Sequence, residues 1–341
     1  MAQEAILYSR SPEGWVVCEL CAHRCRVVRG RRGICQVREN REGTLYTLVY
    51  GRLVAENVDP IEKKPLYHFL PGSLSYSIAT AGCNMSCHHC QNFQISLQAP
   101  RVTPIPGVTR TAEEVVRSAE EAGCLSISYT YTEPVVFLEF ARDCGILASE
   151  SRIANVFVTN GFMTPETVQT ITPWLDAANI DLKGATEEHY RNICGGRLEP
   201  VLETIRALHE AGVWIEITTL LIPGLNDDDG SLAFYADFIA SLDPLIPWHI
   251  SRFHPTHRMT DRPPTPLKSL EKARHAGEQA GLKYVYLGNV PQSQDLTLCH
   301  ACGHVLLERA GFSLVRNLVA AAGDGSASCP ECGAGFHGVI K

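Results

Sequence analysis

Between about residues 73 and 288 the sequence alternates β-rich runs with amphipathic helical patterns, and no other feature restricts the fold as much. The strand signals are SLSYSIAT, LSISYT, ANVFVTN, AANIDLK, VWIEITTL, PWHIS and LKYVYLG. Between them lie TAEEVVRSAEEAG, helices starting at Pro134 and Pro165, LEPVLETIRALHEAG, DDDGSLAFYADFIASL and TPLKSLEKARHAGEQAG. Thr111 stands as an N-cap before the first-turn acids Glu113 and Glu114. Gly123, Gly212 and Gly281 follow helical patterns where a C-terminal glycine belongs. Repeated βα units imply parallel strands, arranged either as a barrel or as an open doubly wound sheet. In a βα-barrel, chemistry collects in the loops at the C-terminal ends of the strands. Polar and glycine-rich clusters follow several of the strand signals here: TAGCNMSC, YTYTEP, TNG, DLKG, LIPGLND and RFHP. This pattern favours a barrel rim.

A chain of 341 residues with 45% hydrophobic composition buries a large core and suits one main domain with appendages. A net charge of −7 gives no global basic field, so nucleic acid is not favoured as a partner. No run approaches the roughly 18 apolar residues of a membrane span, and MAQEAILYSRSPEG lacks the continuous apolar segment of a signal peptide. No membrane association and a cytoplasmic location are therefore expected. Of 14 cysteines, 11 fall into three tight groups, which in a reducing compartment points to metal rather than disulfides.

The central group is Cys83, Cys87 and Cys90 in TAGCNMSCHHCQN, directly after a strand signal ending at Thr80. A structural zinc site uses four ligands, whereas an iron–sulfur cube given three cysteines keeps one iron open to an exogenous ligand. Zinc completed by His88 or His89 is the competing reading. It is disfavoured because such a loop more often pairs with a second C-x2-C nearby.

C-x3-C-x2-C after the first strand of a βα-barrel resembles the signature of the radical S-adenosylmethionine (radical SAM) enzymes. In that family the open iron of a 4Fe-4S cluster is chelated by SAM, which is cleaved to methionine and a 5′-deoxyadenosyl radical that abstracts hydrogen from substrate. The segments DPIEKKPLYHFLPGS, GCNMSCHHCQNFQIS, YTYTEP, TNGFMT, NIDLKG, LIPGLND, RFHP and YLGNV are similar, within that family, to the pyruvate formate-lyase activating enzyme group and most of all to its AmmeMemoRadiSam branch.

The resemblance implies SAM contacts at Thr130, Thr132 and Glu133, where relatives carry a GGEP-like motif, although Glu133-Pro134 also reads as a helix start. His89 takes the place of an aromatic residue near the adenine. Thr159, Asn160, Asp181 and Lys183 look like the rim around the methionine carboxylate, with Lys183 pairing to it and Asp181 orienting the lysine or holding a cation. Val158 stands where activating enzymes commonly have an acid, which argues against their monovalent-cation site. Asn226 is placed near the ribose or adenine, and His249, Arg252 and His254 either meet substrate or form an ordinary charged loop. The resemblance also implies an unidentified substrate, a reductant such as flavodoxin or ferredoxin, and functional association with Memo-like and AMMECR-type proteins.

Cys299, Cys302, Cys329 and Cys332, in CHACG and CPECG, read as paired knuckles of a zinc ribbon, preferred over a rubredoxin-like site or an auxiliary cluster. Cys18, Cys21, Cys25 and Cys35 suit zinc or an auxiliary iron–sulfur cluster, with zinc slightly preferred. Cys124, Cys144 and Cys194 are expected in packing roles, with an approach of Cys194 to the site as the lesser alternative. The expected architecture is an α/β partial (β/α) barrel of the radical SAM type with small Cys-rich metal-binding modules at both ends. Its parts are an N-terminal extension (1–72), the barrel (73–290) and a zinc-ribbon-like module (291–341). The alternative functions are a glycyl-radical enzyme activase and, from another class, a zinc-dependent binding or scaffold protein.

Overall fold

The computed structural model describes residues 2–290, 294–321 and 326–340. At its centre is a nine-stranded sheet. Strand β1 (Arg52–Pro60) runs antiparallel to β2 (Leu74–Thr80) and also pairs with Val108–Thr109. From β2 onward the strands are parallel and follow chain order: β3 (Ser126–Tyr129), β4 (Ala154–Thr159), β5 (Ala177–Asp181), β6 (Trp214–Leu221), β7 (Trp248–Arg252) and β8 (Val285–Gly288). A doubly wound sheet reverses its strand order midway. This one does not, so that alternative falls. The division expected at residue 72 lies after a strand of the main sheet, and the boundary at residue 291 lies outside the described residues.

Local chemistry accounts for the helices between these strands. The first, α1 (Ala112–Glu121), opens on a capping box. Glu114 N donates to Thr111 Oγ1 at 3.2 Å, and Thr111 N donates to Glu114 Oε2 at 2.9 Å. Its Val115, Val116 and Ala119 are buried, while the opposite face is charged. A one-turn 3₁₀ helix at Pro134–Phe137 leads into α2 (Leu138–Glu150). α3 (Pro165–Ile171), α4 (Glu199–Glu210), α5 (Asp229–Leu242) and α6 (Leu267–Gln279) complete the crossovers. The small polar positions of β2 and β3 satisfy one another, with Ser75 Oγ 2.6 Å from Ser128 Oγ and 2.8 Å from Ser126 Oγ.

Residues 61–73, between β1 and β2, form a strap that crosses toward β6, β7 and β8. Buried Glu216 of β6 accepts from Tyr67 N at 2.9 Å and His68 N at 2.8 Å, and its carboxylate lies 2.7 Å from His249 Nε2 of β7. His68 Nε2 lies 2.7 Å from the Tyr286 hydroxyl of β8. The strap thus ties the two sides of the sheet together by hydrogen bonds to a buried carboxylate that would be costly to leave unpartnered.

Two small modules dock on this frame. N-terminal residues form two three-stranded antiparallel sheets and attach to the region after β4, with Thr164 Oγ1 donating to Glu19 O and Thr167 Oγ1 to Leu20 O, both at 2.6 Å. A buried ion pair joins Arg38 to Glu139 of α2. The C-terminal module holds β9 (Gln294–Leu298), β10 (Val305–Ala310) and β11 (Ser313–Asn317), and grips the strap through Leu70 N to Val339 O and Val339 N to His68 O, both 2.8 Å. Among the described residues, no helix is long and apolar enough to cross a membrane.

Candidate active site

The cysteine loop leaves the C-terminal end of β2 and rests on the turn at Tyr190–Cys194, with Ser86 N donating to Cys194 O at 2.8 Å and His88 N to Ile193 O at 3.0 Å. Gly195 makes this approach possible. Its φ is +74°, and a Cβ there would lie 2.5 Å from Ser86 Oγ. Cys194 therefore reaches the loop through its backbone carbonyl, which is also 3.8 Å from Cys87 Sγ. Cys124 and Cys144 pack in the core.

Cys83, Cys87 and Cys90 are free thiols that face one cavity of about 700 Å³ at the C-terminal ends of the parallel strands. Thr130, Thr132, Glu133, Thr159, Asn160, Asp181, Lys183 and His89 line the same cavity, so the structure brings these residues, all but Asn226 of those expected around SAM, together. Val158 lines it too.

Glu133 organises one wall. Its Oε1 accepts from Thr159 Oγ1 at 2.7 Å and from Val135 N at 3.3 Å, and its Oε2 accepts from Asn160 N at 2.9 Å. The bond from Val135 N caps the following helical turn, so Glu133 begins a helix and faces the cavity at once. Burial drives its pKa up to about 7, although hydrogen bonds from Asn160, Thr159 and Val135 pull the other way. Asn160 Nδ2 donates to Asn84 Oδ1 at 2.7 Å and lies 3.8 Å from Cys83 Sγ, while Met85 N approaches that sulfur at 3.4 Å. Lys183, which also lines the cavity, donates through Nζ to Asp181 Oδ2 at 2.7 Å, a partly buried pair rather than a surface one. His89 is buried with Nδ1 unpartnered, and burial together with the positive charge of Lys183 lowers its pKa to about 3, keeping the ring neutral.

Asn226 corrects the sequence expectation. It is not among the cavity-lining residues, and its amide is used within the fold. Oδ1 accepts from Ile222 N at 2.7 Å, and Nδ2 donates to Lys183 O at 3.2 Å and Leu220 O at 3.0 Å. It braces the loop behind Lys183. His249 lines the cavity, but Arg252 and His254 do not; Arg252 Nε is turned to Thr265 O at 2.8 Å.

Sequence reasoning missed a second polar corner. Lys64, buried, and Lys63 donate to the two oxygens of Asp59 at 2.6 and 2.7 Å, and the Tyr131 hydroxyl joins them. Burial opposes ionisation of Asp59, yet Lys63, Lys64 and Tyr131 outweigh it and hold the carboxyl well below its usual range. Tyr131 adopts φ +61°, a left-handed conformation that is rare outside glycine. The available signal was the pair of lysines in the strap segment DPIEKKPLY, whose burial no local periodicity reveals.

The flanking cysteines are also gathered. Cys299 Sγ is 3.7 Å from Cys332 Sγ and Cys302 Sγ is 3.7 Å from Cys329 Sγ, and all four sulfurs lie within 4.8 Å of one another. Cys18, Cys21, Cys25 and Cys35 line a separate cavity of about 20 Å³.

The model of the Radical SAM superfamily matches residues 77–235, which run from β2 into α5 and include the cysteine loop. The chain is 43% identical to protein MJ0808 of Methanocaldococcus jannaschii over 91% of this chain and 92% of that protein. This chain belongs to the radical SAM superfamily. Membership implies a SAM-dependent enzyme with a 4Fe-4S cluster. Activating enzymes are among its homologues: pyruvate formate-lyase 1-activating enzyme of Escherichia coli is 24% identical over 60% of this chain and 89% of that enzyme. The fold is shared with a radical SAM methyltransferase from Sphaerobacter thermophilus at TM-score 0.50 and 18% identity, over 70% of this chain and 71% of that one. The residues present fit the cluster, since three free thiols with N–H donors near Cys83 open onto a cavity whose wall also carries the unpartnered His89 Nδ1.

Proposed function

We propose that this protein, a partial (β/α) barrel with metal-binding modules at both ends, is a radical SAM enzyme acting on a substrate still to be identified. Cys83, Cys87 and Cys90 would hold the cluster. The observation that carries this reading is the shared cavity, in which the three thiols, Glu133 and the Asp181–Lys183 pair all line one space. When bound, the cluster and SAM supply reductive cleavage to methionine and a 5′-deoxyadenosyl radical that abstracts hydrogen.

The chain's own residues bind and orient. A carboxylate has about four lone-pair sites. Glu133 uses three of them internally, leaving one to accept an N–H from the amino group of SAM, beside the hydroxyls of Thr130 and Thr132. Lys183 pairs with the methionine carboxylate while Asp181 holds the lysine in place. Thr159 and Asn160 fix Glu133, and the neutral ring of His89 faces the adenine. Strap residues and Phe312 complete the wall of the same cavity, where the substrate would be held. Zinc in the C-terminal module accords with the sulfur spacing, because four ligands about 2.3 Å from one ion lie about 3.8 Å apart at the corners of a tetrahedron. The reading carries with it a cytoplasmic location, an electron donor such as flavodoxin or ferredoxin, and functional association with Memo-like and AMMECR-type proteins of the AmmeMemoRadiSam type.

Anaerobic incubation with SAM, reductant and candidate substrates, with deuterium traced into 5′-deoxyadenosine, tests the proposal. Label transfer identifies the abstracted hydrogen. SAM cleavage that persists after each of Cys83→Ala, Cys87→Ala and Cys90→Ala would overturn it. The second reading, a glycyl-radical activase, is favoured by the activating enzymes among the relatives, including benzylsuccinate synthase activating enzyme of Thauera aromatica at 26% identity over 145 residues.

A further inference from the structure

We infer that Cys18, Cys21, Cys25 and Cys35 together hold an iron–sulfur cluster, against the slight preference for zinc drawn from their spacing in sequence. The two flanking cysteine sets have the same ligand count, but their sulfurs are spaced differently. The C-terminal four converge as one ion requires, with two pairs at 3.7 Å and all atoms within 4.8 Å. Among the described residues, this is the one group of three or more potential ligands gathered closely enough to hold a single metal ion. No three of the N-terminal thiols therefore converge in this way; instead the four stand around a cavity of about 20 Å³. A tetrahedral zinc ion would draw its sulfurs to about 3.8 Å and close such a space. A cluster carries its thiolates on separate irons, so it needs them spread around a void.

The cavity wall supports this. Gly33 lies over one side, where a Cβ would sit 3.7 Å from Cys25 Sγ and 3.9 Å from Cys35 Sγ. The remaining wall is formed by Leu20, Ile34 and Val136, apart from His23 and Arg38. Arg38 is 1% exposed, its Nη1 lies 3.8 Å from Cys18 Sγ, and its Nε has no partner. A guanidinium held there by Glu139 offers N–H donors and positive charge to an anionic tetrathiolate cluster. The central cysteines provide an internal comparison. They too line a cavity without being gathered as a single-ion site, and they are the ligands proposed for the SAM-binding cluster. The two sites adjoin: His23, on the N-terminal cavity, has Nε2 2.7 Å from the carbonyl of Asn84, the residue after Cys83.

The test uses the full chain, purified and reconstituted anaerobically with iron and sulfide, with metal and acid-labile sulfide counted and iron examined by Mössbauer spectroscopy. A variant carrying Cys83→Ala, Cys87→Ala and Cys90→Ala should retain roughly two or four irons with matching sulfide, in a cluster that does not respond to SAM. Cys25→Ser with Cys35→Ser should remove that fraction and leave the SAM-responsive signal and the zinc content unchanged. Absence of iron and sulfide from the triple variant, or loss of a zinc equivalent in the double variant, would overturn the inference. If either variant fails to fold, wild-type protein decides. More than four irons per chain with matching sulfide support a second cluster, and four or fewer exclude it. Because the signal is SAM-independent, failure here leaves the proposed function standing.

Discussion

Glu133 offers the sharpest test of how the cavity binds SAM. Its pKa rises from 4.5 to about 7, so ionising it in the fold costs about 3 kcal/mol more than in water. Between these values the folded chain holds a proton that the unfolded chain has lost. Stability therefore falls as pH rises from about 4.5 to about 7, and Glu133→Gln should remove that slope. SAM binding should show the opposite trend, because only the ionised carboxylate keeps its free lone pair for an incoming N–H. Loss of that contact in Glu133→Gln is worth about 1.5–3 kcal/mol, or roughly 10- to 150-fold in affinity. The amine of SAM titrates as well, but the ratio of wild-type to variant affinity cancels that contribution. The ratio should hold its full value above about pH 7.5 and fall about tenfold per unit below pH 7, toward one. Anaerobic equilibrium titrations of the reduced cluster, followed by electron paramagnetic resonance, measure it. A ratio that stays constant from about pH 5.5 to 8.5, or close to one throughout, would refute the role of Glu133 and with it the pH reasoning.

Lys183→Ala should weaken SAM binding by about 1.5–3 kcal/mol while leaving iron content unchanged, and unchanged affinity would return the lysine to a purely structural pair with Asp181. Protein purified in air should keep about one zinc in the C-terminal module after the oxygen-sensitive clusters have decayed, as read by elemental analysis before and after Cys329→Ser with Cys332→Ser. Gly195→Ala should displace the cysteine loop, since the added Cβ would sit 2.5 Å from Ser86 Oγ, and cluster reconstitution should fall well before thermal stability does. Mixed anaerobically with glycyl-radical enzymes, SAM and reductant, the protein should give no glycyl radical doublet, because the span from Gln91 to Gly123 lacks the inserted cysteines of activases with extra clusters. Appearance of the doublet would promote the activase reading.

What was legible in the sequence follows the reach of each signal. Strand and helix periods, the N-cap at Thr111 and the rim loops depend on neighbours a few residues apart, and they appear in the fold where expected. Strand β1 escaped notice because RLVAENVDP mixes exposed and buried positions without a clean alternation. The strap escaped for a different reason. Glu216 sits in VWIEITTL like any polar strand residue, and the partners that bury it, Tyr67 and His68, lie 149 and 148 positions away. For Asn226, the residue type suits a ligand contact and a loop brace equally, and only the carbonyls of Lys183 and Leu220 show which it is. Cysteine spacing likewise reports that four thiols can meet, but not how far apart their sulfurs stand.

The C-terminal module gains a function from the strap it grips. Phe336, four residues beyond Cys332, stacks on His68 with ring centroids 5.5 Å apart, and His68 Nδ1 lies 2.6 Å from His337 O. Arg309, between the two knuckles, donates to Tyr67 O and to Thr297 Oγ1, the latter at 2.8 Å. Tyr67 in turn packs edge-on against His249, and both line the cavity, as does Phe312 from the turn between β10 and β11. A metal ion held by these four cysteines would therefore fix a wall of the cavity without touching its contents. Through Tyr67, His68 and Glu216, the same contacts hold together the two sides of a sheet that its own strand pairing leaves open. The module thus braces the candidate active site, and the strap, with Lys63 and Lys64 beside the cavity, is gripped by a segment built around four gathered cysteines far along the chain from the cysteine loop.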